Sequence, residues 1–203
     1  MVEKDVPTFY KSLRLTIDHV SSLYNKMQEV QVKEFVENLH KLDAEGKYTY
    51  VYGAGRSGLI GKALVTRLTN LKYNAFFVGS ESAPAMHEGD AIILILGSGE
   101  TPDVVNRAKT SKDLHAIVFG VTSRPESRLR KYCDHILEVS GKTKMDVPKN
   151  NYLDREQKGL YAPLSPLGNL FECSALIVLD SIISDLAKLK GITEDEMKRI
   201  HFE

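Results

Sequence analysis

From Thr8 to Leu42 the apolar residues fall at helical spacing. Leu13, Ile17, Val20 and Leu23 form one stripe; Val30, Val32, Phe35, Val36, Leu39 and Leu42 form a second. The pattern predicts one long helix, or two joined near Tyr24–Met27, with Gly46 as its C-terminal stop. The period then shortens. Lys47–Tyr52 is β-branched and aromatic, Asn74–Val78 and His135–Val139 are short and apolar, Ala91–Leu96 is apolar throughout, and His115–Val121 is strand-like. Between these runs, Ser57–Asn70, Thr101–Ser111 and Glu126–Tyr132 read as helices. Strands that alternate with helices, several of them solid apolar runs, predict a parallel sheet covered on both faces. The expected fold is a three-layer α/β domain with an N-terminal helical extension. Its five-stranded parallel sheet would take the flavodoxin-like order 2-1-3-4-5, with ligands at the carboxyl ends of the strands.

The rest of the chain completes one domain over residues 1–203, with N-terminal helices over 1–45 and an α/β core over 46–140. Residues 141–163 carry Lys142, Lys144, Lys149, Asn150, Asn151, Arg155 and Lys158 and read as a loop or lid, longer than most connections. C-terminal helices are expected over 164–203. The first, Leu167–Leu189, is apolar nearly all round, as suits burial against the sheet or a partner subunit. Thr193 ahead of Glu196 has the spacing of a capping box.

Charge narrows the function classes. Lys+Arg and Asp+Glu are both 27, a balance that lacks the basic footprint of a general nucleic-acid binder. An anionic ligand would therefore need a local site. The two cysteines, Cys133 and Cys173, are too far apart for a metal-binding pair and read as reduced, buried thiols. The six histidines show no ligand spacing, so no metal or other cofactor is expected. The N-terminus lacks the apolar run of a secretory leader, and no stretch approaches the roughly 20 apolar residues that span a bilayer. A soluble cytoplasmic protein is expected, with no membrane and no nucleic-acid partner.

Two turns concentrate the candidate chemistry. Gly53-Ala54-Gly55-Arg56-Ser57-Gly58 and Gly97-Ser98-Gly99-Glu100-Thr101 each follow a strand and open a helix. Glycines let backbone N–H groups approach an anion, and the helix N-terminus adds unpaired donors and partial positive charge. Gly55, Ser57, Ser98, Gly99 and Thr101 are thus candidates for binding a phosphate. Arg56 is another, with a salt bridge as its alternative role, and Ser123 lies at the same carboxyl edge, with a helix N-cap as its alternative. The first turn also fits a dinucleotide fingerprint, but only Glu81, past the end of the next strand, offers the acid that such a site requires. No P-loop occurs.

Taken in order, VYGAGRSG, LGSGET, GVTSRPES, GKTK, PLSPLGNLFE and GITEDEMKRIH resemble the SIS (sugar isomerase) domain family, and within it the 6-phospho-3-hexuloisomerases. The resemblance spans nearly the whole chain. It departs at Leu96, where relatives more often carry serine, and in a C-terminus that stops soon after His201. It implies an isomerase that moves a carbonyl between C3 and C2 of a phosphorylated ketohexose through an enediol, without metal or redox cofactor. It also implies a homo-oligomer, a tetramer built from dimers. By the resemblance Glu172 is the catalytic base and His201 its partner; otherwise Glu172 reads as a first-turn acid complementing the helix dipole and His201 as a tail residue. Another aldose–ketose isomerase of the family, for instance on arabinose 5-phosphate, and a non-catalytic sugar-phosphate-binding module remain as alternatives.

Overall fold

The computed structural model describes residues 8–141, 169–193 and 196. Two helices open the chain, α1 (Thr8–Ser21) and α2 (Glu29–Ala44), joined by a 3-10 turn over Ser22–Asn25. The break thus falls where the two apolar stripes meet, and Gly46 ends the pair at φ 75°. The core alternates β1 (Thr49–Gly53), α3 (Arg56–Asn70), β2 (Ala75–Phe77), β3 (Ala91–Ile95), α4 (Pro102–Asp113), β4 (Ile117–Thr122) and β5 (His135–Glu138). The last long helix is α5 (Asn169–Lys190). All strand pairs are parallel and their order is β2-β1-β3-β4-β5, the expected flavodoxin-like arrangement.

Alternation along the strands splits the interior in two. Val51, Ile93, Ile95, Phe119 and Val121 face one side, where they meet Phe35 and Leu39 of α2, Leu64 and Leu68 of α3, and Ala175, Leu179 and Ile182 of α5. Tyr50, Ile92, Leu94 and Val118 face the other, against Val104, Val105 and Ala108 of α4. Both faces of β3 are covered, so each of its residues is buried and the strand reads as an unbroken apolar run. α3 lies close on the sheet because Gly61 has no side chain: a Cβ there would sit 3.2 Å from both Val51 and Phe77.

Polar groups fix the ends. Asp90, buried at the start of β3, accepts from the backbone N–H groups of Tyr48 at 2.9 Å and His87 at 2.8 Å. Lys190 closes the far end of α5 onto α2 through Asp43 at 2.6 Å, with its ammonium over the Tyr73 ring. Thr193 and Glu196 form the reciprocal bonds of a capping box.

Three expectations change. Glu126–Tyr132 supplies only a 3-10 turn over Arg128–Tyr132, because its N–H groups bond three residues back, Arg130 to Ser127 and Cys133 to Arg130. His115 belongs not to a strand but to the turn after α4, at φ 57°. Cys133 is buried, whereas Cys173 is half-buried. The expected lid over 141–163 lies, apart from Gly141, outside the described residues. Among the described residues no helix is long and apolar enough to cross a membrane.

Candidate active site

β1 and β3 are neighbours in register, Gly53 opposite Ile95, so the two glycine turns leave the same sheet edge side by side. In the first turn the outer glycines are there for close packing. A Cβ at Gly53 would lie 2.8 Å from the Ser57 carbonyl group, and one at Gly58 would lie 2.5 Å from the Gly53 oxygen. Gly55 caps α3 at φ 59°, a conformation that favours glycine. The helix therefore starts directly above the strand, with Arg56 and Ser57 in its first turn.

The second turn is braced from below. Gly99, at φ 67°, sits over Ser127, whose Oγ would be 1.8 Å from any Cβ there. The Gly99 carbonyl accepts from Leu129 N, and the Glu100 carboxylate accepts from Arg128 N at 3.0 Å. Ser98 Oγ accepts from Glu100 N at 3.3 Å. Thr101 is the N-cap of α4, but its hydroxyl does not bond the helix's own N–H groups. Tyr52, near the end of β1, donates to Asp103 in the first turn of α4, and Arg107 lies over the Tyr52 ring, 4.1 Å from its centroid. The bond to Asp103, followed by burial, pushes the Tyr52 phenol above its ordinary pKa. The start of α4 is thereby clasped to β1.

Ser123 is tied to the second turn. It donates its hydroxyl to the Gly97 carbonyl at 2.8 Å and its N–H to the same oxygen at 3.1 Å. Thr122 Oγ1 donates there too, at 3.2 Å. Ser123 therefore braces the phosphate-loop candidate in this structure.

α5 brings the carboxylate. Its first turn is seated by Phe171, which fills the space that side chains would need at two glycines. A Cβ at Gly97 would lie 2.7 Å from the Phe171 ring, and one at Gly141, just after β5, would lie 2.3 Å from the Phe171 backbone. The next residue, Glu172, is thus delivered to the mouth of the sheet. Its side chain is 16% exposed, and Arg56 Nε lies 2.9 Å from its Oε2.

The fold accordingly gathers Gly55, Arg56, Ser57, Ser98, Gly99, Thr101, Ser123 and Glu172 at one end of the sheet, while His201 lies outside the described residues. Sequence reasoning missed the seat of Phe171, the brace of Ser127 and the clasp of Tyr52 and Asp103. It also missed His19 of α1, whose Nε2 lies 3.0 Å from the Ser140 carbonyl beside Gly141. The one available signal was a glycine after each of β3 and β5, marking close approach by another element.

A site of this shape can hold an anion at two helix mouths and present a carboxylate beside it. The model of the SIS domain matches residues 44–147. The 3-hexulose-6-phosphate isomerase of Bacillus subtilis is 33% identical over 184 residues, covering 90% of each chain. An uncharacterized protein of Aeropyrum pernix is 36% identical, over 96% of this chain and 91% of its own. A crystal structure from Methanococcus jannaschii, described as inferring 3-hexulose-6-phosphate isomerase function, superposes with a TM-score of 0.69 at 26% identity, covering 96% of this chain and 97% of that one. With its sheet order, its paired glycine turns and these likenesses, the chain belongs to the SIS domain family, among relatives that include 3-hexulose-6-phosphate isomerases.

Proposed function

We propose that this protein interconverts D-arabino-hex-3-ulose 6-phosphate and fructose 6-phosphate. The observation that carries the reading is the Glu172 carboxylate, largely buried and fixed by Phe171 at the edge where the two glycine turns open. The phosphate would sit at the mouths of α3 and α4, held by backbone N–H groups at Gly55 and Gly99 and by the hydroxyls of Ser57, Ser98 and Thr101. Ser123 would keep the second turn in shape. With the phosphate fixed there, the sugar would extend towards Glu172, with C2 and C3 presented to its carboxylate.

Glu172 removes the proton from C2, and the electrons of the C–H bond form the C2–C3 double bond as the C3 carbonyl becomes an enediolate. The oxygen at C3 gains a proton and the hydroxyl at C2 gives one up. Glu172 then returns its proton to C3, which leaves the carbonyl at C2. His201 is the proposed assistant for the transfer between oxygens. The scheme needs no metal and no redox cofactor. The enzyme is proposed to act as a homo-oligomer, a tetramer.

The test is isomerisation of the hexulose 6-phosphate in EDTA, with wild type beside Glu172→Ala. Loss of the general base is expected to lower kcat by about 10²–10⁴-fold while sugar-phosphate binding persists. A wild-type protein that binds phosphosugars but leaves this substrate unchanged would overturn the assignment, in favour of another substrate such as arabinose 5-phosphate or of a binding role. Wild-type turnover that EDTA abolishes would overturn the metal-free scheme.

A further inference from the structure

Arg56 occupies the first position of α3, beside a proposed phosphate site, and electrostatics alone do not favour it there. A helix N-terminus already carries partial positive charge, and a cation in the first turn is the unfavourable arrangement. A carboxylate that compensates the cation accounts for the placement, and the structure supplies it: Arg56 Nε lies 2.9 Å from Glu172 Oε2. The pair joins the first turns of α3 and α5. Arg56 is 55% exposed and Glu172 only 16%, so the guanidinium lies on the solvent side of the carboxylate.

We propose that Arg56 is a positioning residue for Glu172, holding its carboxylate in place, and not a ligand of the substrate phosphate. This rests on the role given above to Glu172. The contact is an ion pair by distance and not an aligned hydrogen bond to Oε2, so Arg56 acts on the carboxylate through its charge and close packing. The broad, weakly hydrated guanidinium suits a partly buried pair better than a lysine ammonium. Among the described residues, several other charged or titratable groups on the packed elements have partners of their own. His19 of α1 meets the Ser140 carbonyl. The Cys173 thiol of α5 lies 3.4 Å from Asn169 Oδ1. Glu100, on the neighbouring turn, accepts from Arg128 N. Asp180 of α5 pairs with Arg67 of α3, and Asp43 of α2 with Lys190, both further from the sheet mouth.

The experiment uses Arg56→Gln and Arg56→Lys, checked for native far-UV circular dichroism, with three readouts. The first is steady-state kinetics: kcat is expected to fall by about 10–100-fold in Arg56→Gln with KM little changed, and Arg56→Lys to recover part of the loss. The second is inorganic phosphate binding by calorimetry, expected within about twofold of wild type in both variants if the helix mouths hold the anion. The third is the pH titration of the Glu172 carboxyl carbon by 13C NMR, its signal assigned by its loss in Glu172→Gln. Removing a cation from beside a carboxylate favours the neutral form, so the midpoint should move to higher pH in Arg56→Gln. Phosphate affinity that drops about tenfold or more, or a titration that does not move, would overturn the proposal. The last two readouts need no turnover. If the wild type leaves the hexulose phosphate unchanged, the assigned reaction falls, while phosphate binding and titration still decide what Arg56 does.

Discussion

Gly97 shows how one missing side chain can seat the proposed catalytic carboxylate. Its α-carbon leaves the space that the Phe171 ring occupies, and Glu172 is the next residue along. In Gly97→Ala the new methyl would start 2.7 Å from that ring. Overpacking of this kind costs about 1–3 kcal/mol, and relief must come from moving the start of α5. Isomerase activity is therefore expected to fall well beyond what the lowered melting temperature explains. Gly46→Ala is the control: Gly46 has φ 75° but open space around it, so it should lose stability through backbone strain and leave kcat unchanged. Equal losses of kcat in the two variants would contradict the seating role. At this scale the site was half legible in the sequence. The glycine turns announced themselves by following strands, and Glu172 was found by resemblance. The partner of Arg56 was not legible, because the two residues meet only once α5 has folded back across the sheet mouth. Ser127 and Phe171 were hidden for the same reason: each works by filling space beside a glycine distant in sequence.

Among the described elements, α1 leaves the most large apolar side chains exposed. None of its residues is buried, and Phe9, Tyr10, Leu13 and Ile17 are exposed along it. Leu176 and Ile177 of α5 are exposed as well, and an apolar groove of about 330 Å³ lies between, lined by residues that include Val20, Leu23, Tyr24, Met27 and Ile177. Burial of this surface is what the proposed oligomer would accomplish. Light scattering on the wild type should give a multiple of the protomer mass, and Leu13→Lys with Ile17→Lys should give a smaller species with unchanged helix content. A wild type that stays monomeric at micromolar concentration would refute the idea. The elements themselves were the most legible part of the chain. Buried parallel strands leave unbroken apolar runs, and glycines or caps punctuate them, so β1, β3, β4 and β5 were found to within a few residues. Glu126–Tyr132 misled because only Arg128–Tyr132 winds, and then as a 3-10 turn that sets Leu129 in the α4-side core before Cys133 turns extended.

For the molecule as a whole, the buried acids that ionise in alkali set a limit on stability. Burial pushes the Cys133 thiol from 9.0 up to about 12. Burial, with Asp90 nearby, pushes Tyr50 from 10.0 up to about 12, and burial with Asp43 raises Tyr73 further. In the folded state these groups keep protons that the unfolded chain releases. The unfolded chain then binds fewer protons than the native one, and stability falls as pH rises. The contribution is whole below about pH 9 and is lost towards pH 12. Urea midpoints measured from pH 8 to 11 should decline, and Tyr73→Phe should flatten the decline. That substitution should cost little at neutral pH, because the buried Tyr73 hydroxyl meets no hydrogen-bond partner among the described residues. A flat profile for the wild type would contradict the account. The position of α5 has a different consequence, one of timing. A chain is synthesised from its N-terminus at about 5–20 residues per second, so the strands are complete before the helix that covers one of their faces has left the ribosome. Until then Val51, Ile93, Ile95 and Phe119 lack the cover that Ala175, Leu179 and Ile182 later give them. With only α2 and α3 on that side, the nascent protein must hold a partly covered apolar face in the meantime, a natural substrate for a chaperone. The segment that ends this exposure also carries Glu172, so under the proposed mechanism no partly made chain can be active.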